Sequence, residues 1–151
     1  MDRLFNRFAS LAALTLIAGT TPGLAETPAT ASLAVTVTGI KNSKGVIRLA
    51  LCPPDAGFPD CKTNVVRTAS LPVSGGTASV ALTGLAPGRY AVSVFHDANS
   101  NNKLDTFAGI PKEGYGFSRN PGFKPRAPKF AEAEVQVQGA SMAAIKLRYI
   151  L

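Results

Sequence analysis

Apolar and polar residues alternate with a period of two in short runs along most of this chain. In "SLAVTVTGI", Ser32 to Ile40, Leu33, Val35 and Val37 fall on one face and Ala34, Thr36 and Thr38 on the other. Side chains of an extended strand point alternately to its two faces, so this pattern, rich in β-branched residues, predicts a half-buried strand. "VIRLALC" repeats it, with Ile47, Leu49 and Leu51 opposed to Arg48. "VVRTASLPV", "TASVALTGL" and "GRYAVSVFHD" follow, and in the last of these Tyr90, Val92, Val94 and His96 share a face. Pro72 has no N–H for a ladder, so its strand ends there or lies at an edge. "FAEAEVQVQ", Phe130 to Gln138, and "AAIKLRYI", Ala143 to Ile150, complete the set, the second with Ile145, Leu147 and Tyr149 inward and Lys146 and Arg148 outward. "KNSKG", "SGG" and Pro87-Gly88 supply turns between them.

Seven short strands, mostly 8 to 13 residues apart and without a convincing amphipathic helix or internal repeat, predict an all-β domain. The expected form is a seven-stranded antiparallel Greek-key β-sandwich, immunoglobulin- or prealbumin-like, with a small closed barrel as the alternative. "GLAPGRY" is similar to the corner of Greek-key sandwiches in which a Tyr at the start of a strand bonds back to nearby backbone, which makes Tyr90 a structural residue.

The alternation is absent from the first 25 residues. Arg3 and Arg7 give a basic start, "LAALTLIAG" a short apolar core, and "GLA" small residues ahead of Glu26. That is the layout of a secretory signal over 1–25, cleaved before Glu26, with a single domain over 26–151; an N-terminal amphipathic helix is the other reading. The apolar run falls short of the about 20 residues a spanning helix needs, so no transmembrane segment is expected. Without Arg3, Arg7 and Asp2, fourteen basic and eight acidic residues remain, a balance of +6. Such a charge suits solubility, or an anionic envelope component outside the cell's interior. Nucleic acid is not an expected partner for an exported chain lacking a recognised binding motif. Periplasmic or secreted placement implies an oxidising compartment, where Cys52 and Cys61, with eight residues between them in "LCPPDAGFPDCK", are expected to pair as a structural disulfide. The C-x-x-C spacing of a redox-active pair is missing.

The alternation fails a second time between His96 and Phe130, over 33 residues, 97–129, with no clear strand. Connections of that length are usually functional or disordered. Leu104, Phe107, Ile110, Tyr115 and Phe117 can pin this one to the domain. In "DANSNNKLD", Asp97, Asn99, Asn101 and Asp105 occupy positions 1, 3, 5 and 9 of a calcium-loop template, with the Lys103 carbonyl at 7. Alternate residues of a curled loop can aim oxygens at one hard cation. Asn102 stands where the template has Gly, and position 12 is Ala108, so Glu113 would have to supply the missing carboxylate. The alternative is an Asn-rich turn held by its own side-chain to backbone bonds.

His96, the only histidine, sits beside Asp97. With Asp97 or Glu113 it could act as a general base in a small hydrolase, or it could simply brace loop backbone; no companion motif accompanies it. Asp97, Asp105 and Glu113 as glycosidase carboxylates are disfavoured in a chain with no Trp to form a sugar platform. In "GIPKEGYGFSRN" the glycines free the backbone, so Tyr115 and Phe117 can turn inward, or outward beside Lys112 and Arg119 as a binding surface.

"FHDANSNNKLDTFAGIPKEGYGFSRN" after "GLAPGRYAVSV" resembles the signature of an exported bacterial family, domain of unknown function 2141, over nearly the whole chain beyond residue 25. That family usually carries Gly within its Asn run, where Ser100 and Asn102 stand here. The resemblance implies an exported, sandwich-like domain and supplies no catalytic residues. Three functional readings follow: a binding or accessory module with its site on 97–129, ordered by calcium or not; a small periplasmic hydrolase; and a purely structural envelope protein.

Overall fold

The computed structural model describes residues 30–151; the expected secretory signal and its cleavage point lie outside the described residues. Every alternating run contains a strand, and three further short strands lie in the long connection. In chain order the elements are β1 (Ala31–Thr38), β2 (Val46–Cys52), β3 (Arg67–Pro72), β4 (Ala78–Leu85), β5 (Gly88–Asp97), β6 (Thr106–Phe107), β7 (Ile110–Pro111), β8 (Tyr115–Phe117), the one-turn helix α1 (Phe130–Ala133), β9 (Glu134–Val137) and β10 (Ala140–Lys146). The fold is all-β apart from that turn.

One sheet has the order β10-β1-β4. The other runs β3-β2-β5, and the free edge of β5 is shared: β9 pairs with Gly88–Ala91 and β8 with Ser93–Phe95. The faces are those the alternation predicts. Leu33, Val35 and Val37 of β1, Ile47, Leu49 and Leu51 of β2, and Tyr90, Val92 and Val94 of β5 are buried, and with Ile145 and Leu147 they join one core drawn from both sheets. Burying each such aliphatic side chain contributes roughly 1.5–3 kcal/mol. The Tyr90 hydroxyl donates to the Ala86 carbonyl at 2.8 Å, closing the corner expected of it.

Three features differ from expectation. First, β10 runs parallel to β1, with Ser32 opposite Ala140 and Val37 opposite Ile145. Alternation tells which face a residue occupies and carries nothing about strand direction. The chain leaves β9, turns at Gly139 (φ +56°) and enters the other sheet beside the start of β1, where the Ser32 amide donates to the Gly139 carbonyl at 2.7 Å. Second, Phe130–Ala133 forms α1 rather than strand, so β9 is shorter than the expected run. Glu132 reaches back to accept from the Lys129 amide at 2.8 Å, which closes the turn at its start. Third, the connection between β5 and α1 is not strandless, since β6 and β7 form a hairpin and β8 extends a sheet.

The two sheets are tied beyond their core. Past the end of β10, Arg148 and Tyr115 exchange backbone hydrogen bonds of 2.8 and 3.0 Å, linking one sheet to β8 of the other. On the open side of β10, the Asn120 side chain donates to the Ala144 carbonyl at 2.9 Å and accepts from the Lys146 amide at 2.8 Å. A strand edge is a template for pairing with other chains, and Asn120 occupies part of it. No helix among the described residues is long and apolar enough to cross a membrane.

Cys52 and Cys61 form the expected disulfide, nine positions apart. It closes the loop after β2 and holds Phe58 edge-on to Phe117 and to Phe130, at 5.7 and 6.3 Å between ring centres. In the chain-entropy account, closing so short a loop stabilises by about 2.5 kcal/mol. Replacing both cysteines by Ser is therefore expected to lower unfolding stability by about that amount, read by urea denaturation of the oxidised protein and the double variant.

Candidate functional site

Asp97 ends β5 and has no exposed surface. Arg48, from the neighbouring strand β2, donates Nε–H to Asp97 Oδ2 at 2.9 Å, and the amides of Asn102 and Asn101 donate to Oδ2 and Oδ1 at 3.0 and 2.9 Å. Burial pushes the carboxyl up, but the Arg48 guanidinium and the two amides outweigh it and hold the group below the usual carboxylate range. To bring both amides onto one carboxylate, Ser100 and Asn102 adopt left-handed backbone, with φ of +59° and +64°. These are the positions at which glycine would be least strained.

The other candidate calcium ligands are arranged in the same manner. Asn99 Oδ1 accepts from the Asn101 amide and Asn101 Oδ1 from the Lys103 amide, at 3.2 and 2.9 Å. The side-chain amides of Asn99 and Asn101 donate to Asp105 at 2.8 and 3.0 Å. Glu113, nearly buried, spans the loop: Oε1 accepts from the Ala98 amide and Oε2 from the Asp105 amide, both at 3.0 Å. Asp97, Asn99, Asn101, Lys103, Asp105 and Glu113 are thus brought together, and the side-chain oxygens of the Asp, Asn and Glu residues among them accept from the loop itself and, at Asp97, also from Arg48. Among the described residues, no three carboxylate, imidazole or thiol groups converge as a metal-ligand cluster.

His96 is 1 % exposed. Its Nε2 lies 2.7 Å from the Lys44 carbonyl, which only accepts, so Nε2 carries the hydrogen. Nδ1 then accepts from the Tyr149 hydroxyl at 2.9 Å, and that hydroxyl accepts in turn from the Lys41 amide at 3.1 Å. Burial raises the Tyr149 phenol above its ordinary range, the Lys41 amide works against this, and the charge on Glu113 adds to it. With both nitrogens engaged and the ring covered, His96 is a brace between the turn after β1 and the end of the chain. It has no face to present to a substrate, which removes the geometry a hydrolase with His96 and Asp97 or Glu113 would need.

The open surface lies on the other side of the connection. Tyr115 and Phe117 of β8, half-buried, form the base of a cavity of about 570 Å³. One wall is the hairpin β6–β7, with Ile110; Pro59 of the disulfide loop and Ile150 near the chain's end add to the lining; and the opposite wall is the segment 121–128, with Phe123, 61 % exposed. That wall is fastened through Glu132, which accepts from Arg126 Nη1 and Nη2 at 2.8 and 3.2 Å and from Lys124 Nζ. Arg126 first, then Lys124 and the Lys129 amide, hold the Glu132 carboxyl far below the usual range. Arg148 lies over the Phe123 ring, 5.7 Å from its centre.

Of the binding-loop candidates, Tyr115 and Phe117 line this groove; His96 is buried away from it, and Lys112 and Arg119 are exposed outside its lining. Phe123, Arg126, Glu132 and Arg148 were not singled out as a site by the sequence. The run "SRNPGFKPRAPKF", which holds the first two, is visible only as a basic cluster, and its contact with β8 depends on the fold.

The chain belongs to the family described as uncharacterized protein conserved in bacteria (DUF2141), whose model matches residues 35–145. No curated protein and no solved structure matches it. The family resemblance read from the connection is thereby established, and the family's description assigns no activity.

Two outcomes follow from the Asp97 turn. Because its carboxyl titrates lower in the folded chain than in the unfolded one, its stabilisation is complete above about pH 4, the unfolded value, and is lost as pH falls through the lowered folded value. Asp97→Asn is expected to cost roughly 2–4 kcal/mol at pH 7 and to flatten the pH dependence of stability below about pH 4; urea melts at pH 7 and pH 3 measure both. Ser100→Gly relieves left-handed strain and is expected to raise stability by about 0.5 kcal/mol after the added chain entropy of glycine. A thermal melt showing no gain would mean that the turn holds Ser100 without strain.

Proposed function

We propose that this protein is an exported, non-catalytic binding module whose ligand lies in the groove between β8 and the segment 121–128. The observation that carries this is a cavity of about 570 Å³ lined chiefly by aromatic, aliphatic and proline side chains on a base fixed by sheet pairing. Its size falls within the roughly 300–1,000 Å³ usual for small-molecule sites, and loops on a rigid scaffold are the common place for recognition. Ile110, Phe123 and Ile150 of its lining remain exposed. Large apolar side chains gathered in one region are a mark of a binding surface.

Periplasmic or secreted placement is supported by the Cys52–Cys61 disulfide, which persists in oxidising compartments, and by the signal-like sequence at residues 1–25. We read the two sheets as a Greek-key sandwich of immunoglobulin or prealbumin type, with seven principal strands and the parallel pair β1–β10 as its departure. The shared core and the Tyr90 corner favour that reading. Calcium ordering of 97–113 is the less supported expectation, because the side-chain oxygens of Asp97, Asn99, Asn101, Asp105 and Glu113 already have partners; a rise in melting temperature in millimolar calcium would restore it.

The neutral fluorescent probe N-phenyl-1-naphthylamine tests the groove. The wild-type protein is expected to bind it with increased fluorescence, and Phe123→Ala, at an exposed position, to weaken binding about tenfold while leaving the melting temperature unchanged. Equal binding by the two proteins would place any apolar site elsewhere.

A further inference from the structure

We propose that the groove selects single-chain amphiphilic anions, with an acyl chain over Tyr115, Phe117 and Phe123 and a phosphate or carboxylate head at Lys124 and Arg126. This rests on the groove being the ligand site. The lining includes Pro59, Pro111, Pro121, Pro125 and Pro128. Proline has no N–H, so these five positions offer a ligand apolar surface and no backbone donor. The positively charged donors of the lining are Lys124, Arg126 and Arg148.

Glu132 makes that set of donors informative. Its two oxygens receive Arg126 Nη1 and Nη2, Lys124 Nζ and the Lys129 amide, so several donors crowd a single carboxylate. Lys124 has three N–H groups and Arg126 five. After Glu132 and the Ala127 carbonyl are counted, both cations keep N–H groups with no acceptor among the described residues. A second anionic group can therefore join the cluster without displacing Glu132, and the charged lining, Lys124, Arg126 and Arg148 against Asp60 and Glu132, remains positive by one. An acyl chain leading away from that anion would lie along the aromatic and proline surface. Glu132 then has two effects: it fastens the wall and it competes with the ligand's head group.

The test uses decyl phosphate, 1-decanol and inorganic phosphate, all below the concentration at which decyl phosphate forms micelles. Each is titrated calorimetrically into the full protein and also used to displace N-phenyl-1-naphthylamine. Decyl phosphate is expected to bind about tenfold more tightly than 1-decanol, the value of one charge-assisted contact, and inorganic phosphate alone to bind far more weakly than either. Arg126→Gln should bring decyl phosphate to within about twofold of 1-decanol, and Glu132→Gln, which keeps an acceptor for the Lys129 amide, should raise the preference for decyl phosphate over 1-decanol about threefold. Equal affinities for decyl phosphate and 1-decanol in the wild type would overturn the anion selection while leaving the groove as an apolar site. No binding of either, with no uptake of the naphthylamine, would overturn both. Binding of inorganic phosphate as tight as that of decyl phosphate would show a plain anion site and also end the proposal.

Discussion

Asp97 carries a charge to a place water does not reach, at the point where β5 ends and the long connection begins. A buried carboxylate without partners would cost several kcal/mol, so everything around it is arranged to supply donors. Arg48 comes across from β2, and the amides of Asn101 and Asn102 come from the loop itself. The loop can deliver them only by curling tightly, which sets the left-handed backbone at Ser100 and Asn102. On the other side, the turn before β2 presses against the same place. A Cβ at Gly45 would overlap the Asp97 carbonyl and stand 2.8 Å from the Ala98 Cα, so only glycine fits there.

What begins at Asp97 continues along the connection by the same means. A segment without ladder partners has backbone N–H groups that must find acceptors, and here carboxylates provide them. Glu113 accepts from the amides of Ala98 and Asp105, drawing 97–113 into a closed shape and bringing β8 to the edge of β5. Gly114 and Gly116 then let β8 approach its neighbours: a Cβ at the first would run into the Tyr149 ring, and at the second into Ile145, at 2.7 Å. The Tyr149 ring held in that space is the one that bonds His96. Glu132 repeats the device further on, accepting the Lys129 amide and fastening Arg126 and Lys124.

The buried face of each long strand could be read from the sequence because burial leaves a period-two trace in residue type. Leu33, Val35 and Val37 show it, and so does the corner made by Tyr90, whose turn residues are local to it. The direction of β10 left no such trace, because parallel and antiparallel strands alternate alike. Arg48 was assigned rightly to the outward face, but its bond to Asp97 depends on the pairing of β2 with β5, which no local pattern encodes. The template match at 97–105 shows a different limit. Oxygens on alternate residues of a curled loop can face a cation or the loop's own amides, and the same spacing describes both. The groove was least legible, since Pro59, Ile110, Phe123 and Ile150 are distant in sequence and meet only after folding.

The base and the walls of that groove are held by forces of different kinds. Tyr115 and Phe117 stand on β8, which pairs with β5 over the shared core, so their positions are fixed by the same burial that stabilises the domain. The wall 121–128 is fastened by ion pairs of Glu132 with Lys124 and Arg126, whose side chains are 50 % and 43 % exposed. Exposed pairs of this kind contribute little to stability, typically about 0–1 kcal/mol, and salt screens them. Residues such as Phe123 and Arg126 can therefore change with small effect on folding, whereas Asp97, Gly45 or Gly114 cannot. The groove proposed for recognition thus has one wall where the fold is least constrained by its own stability, while the carboxylate-to-amide bonds of Asp97 and Glu113 hold the loop 97–113 itself.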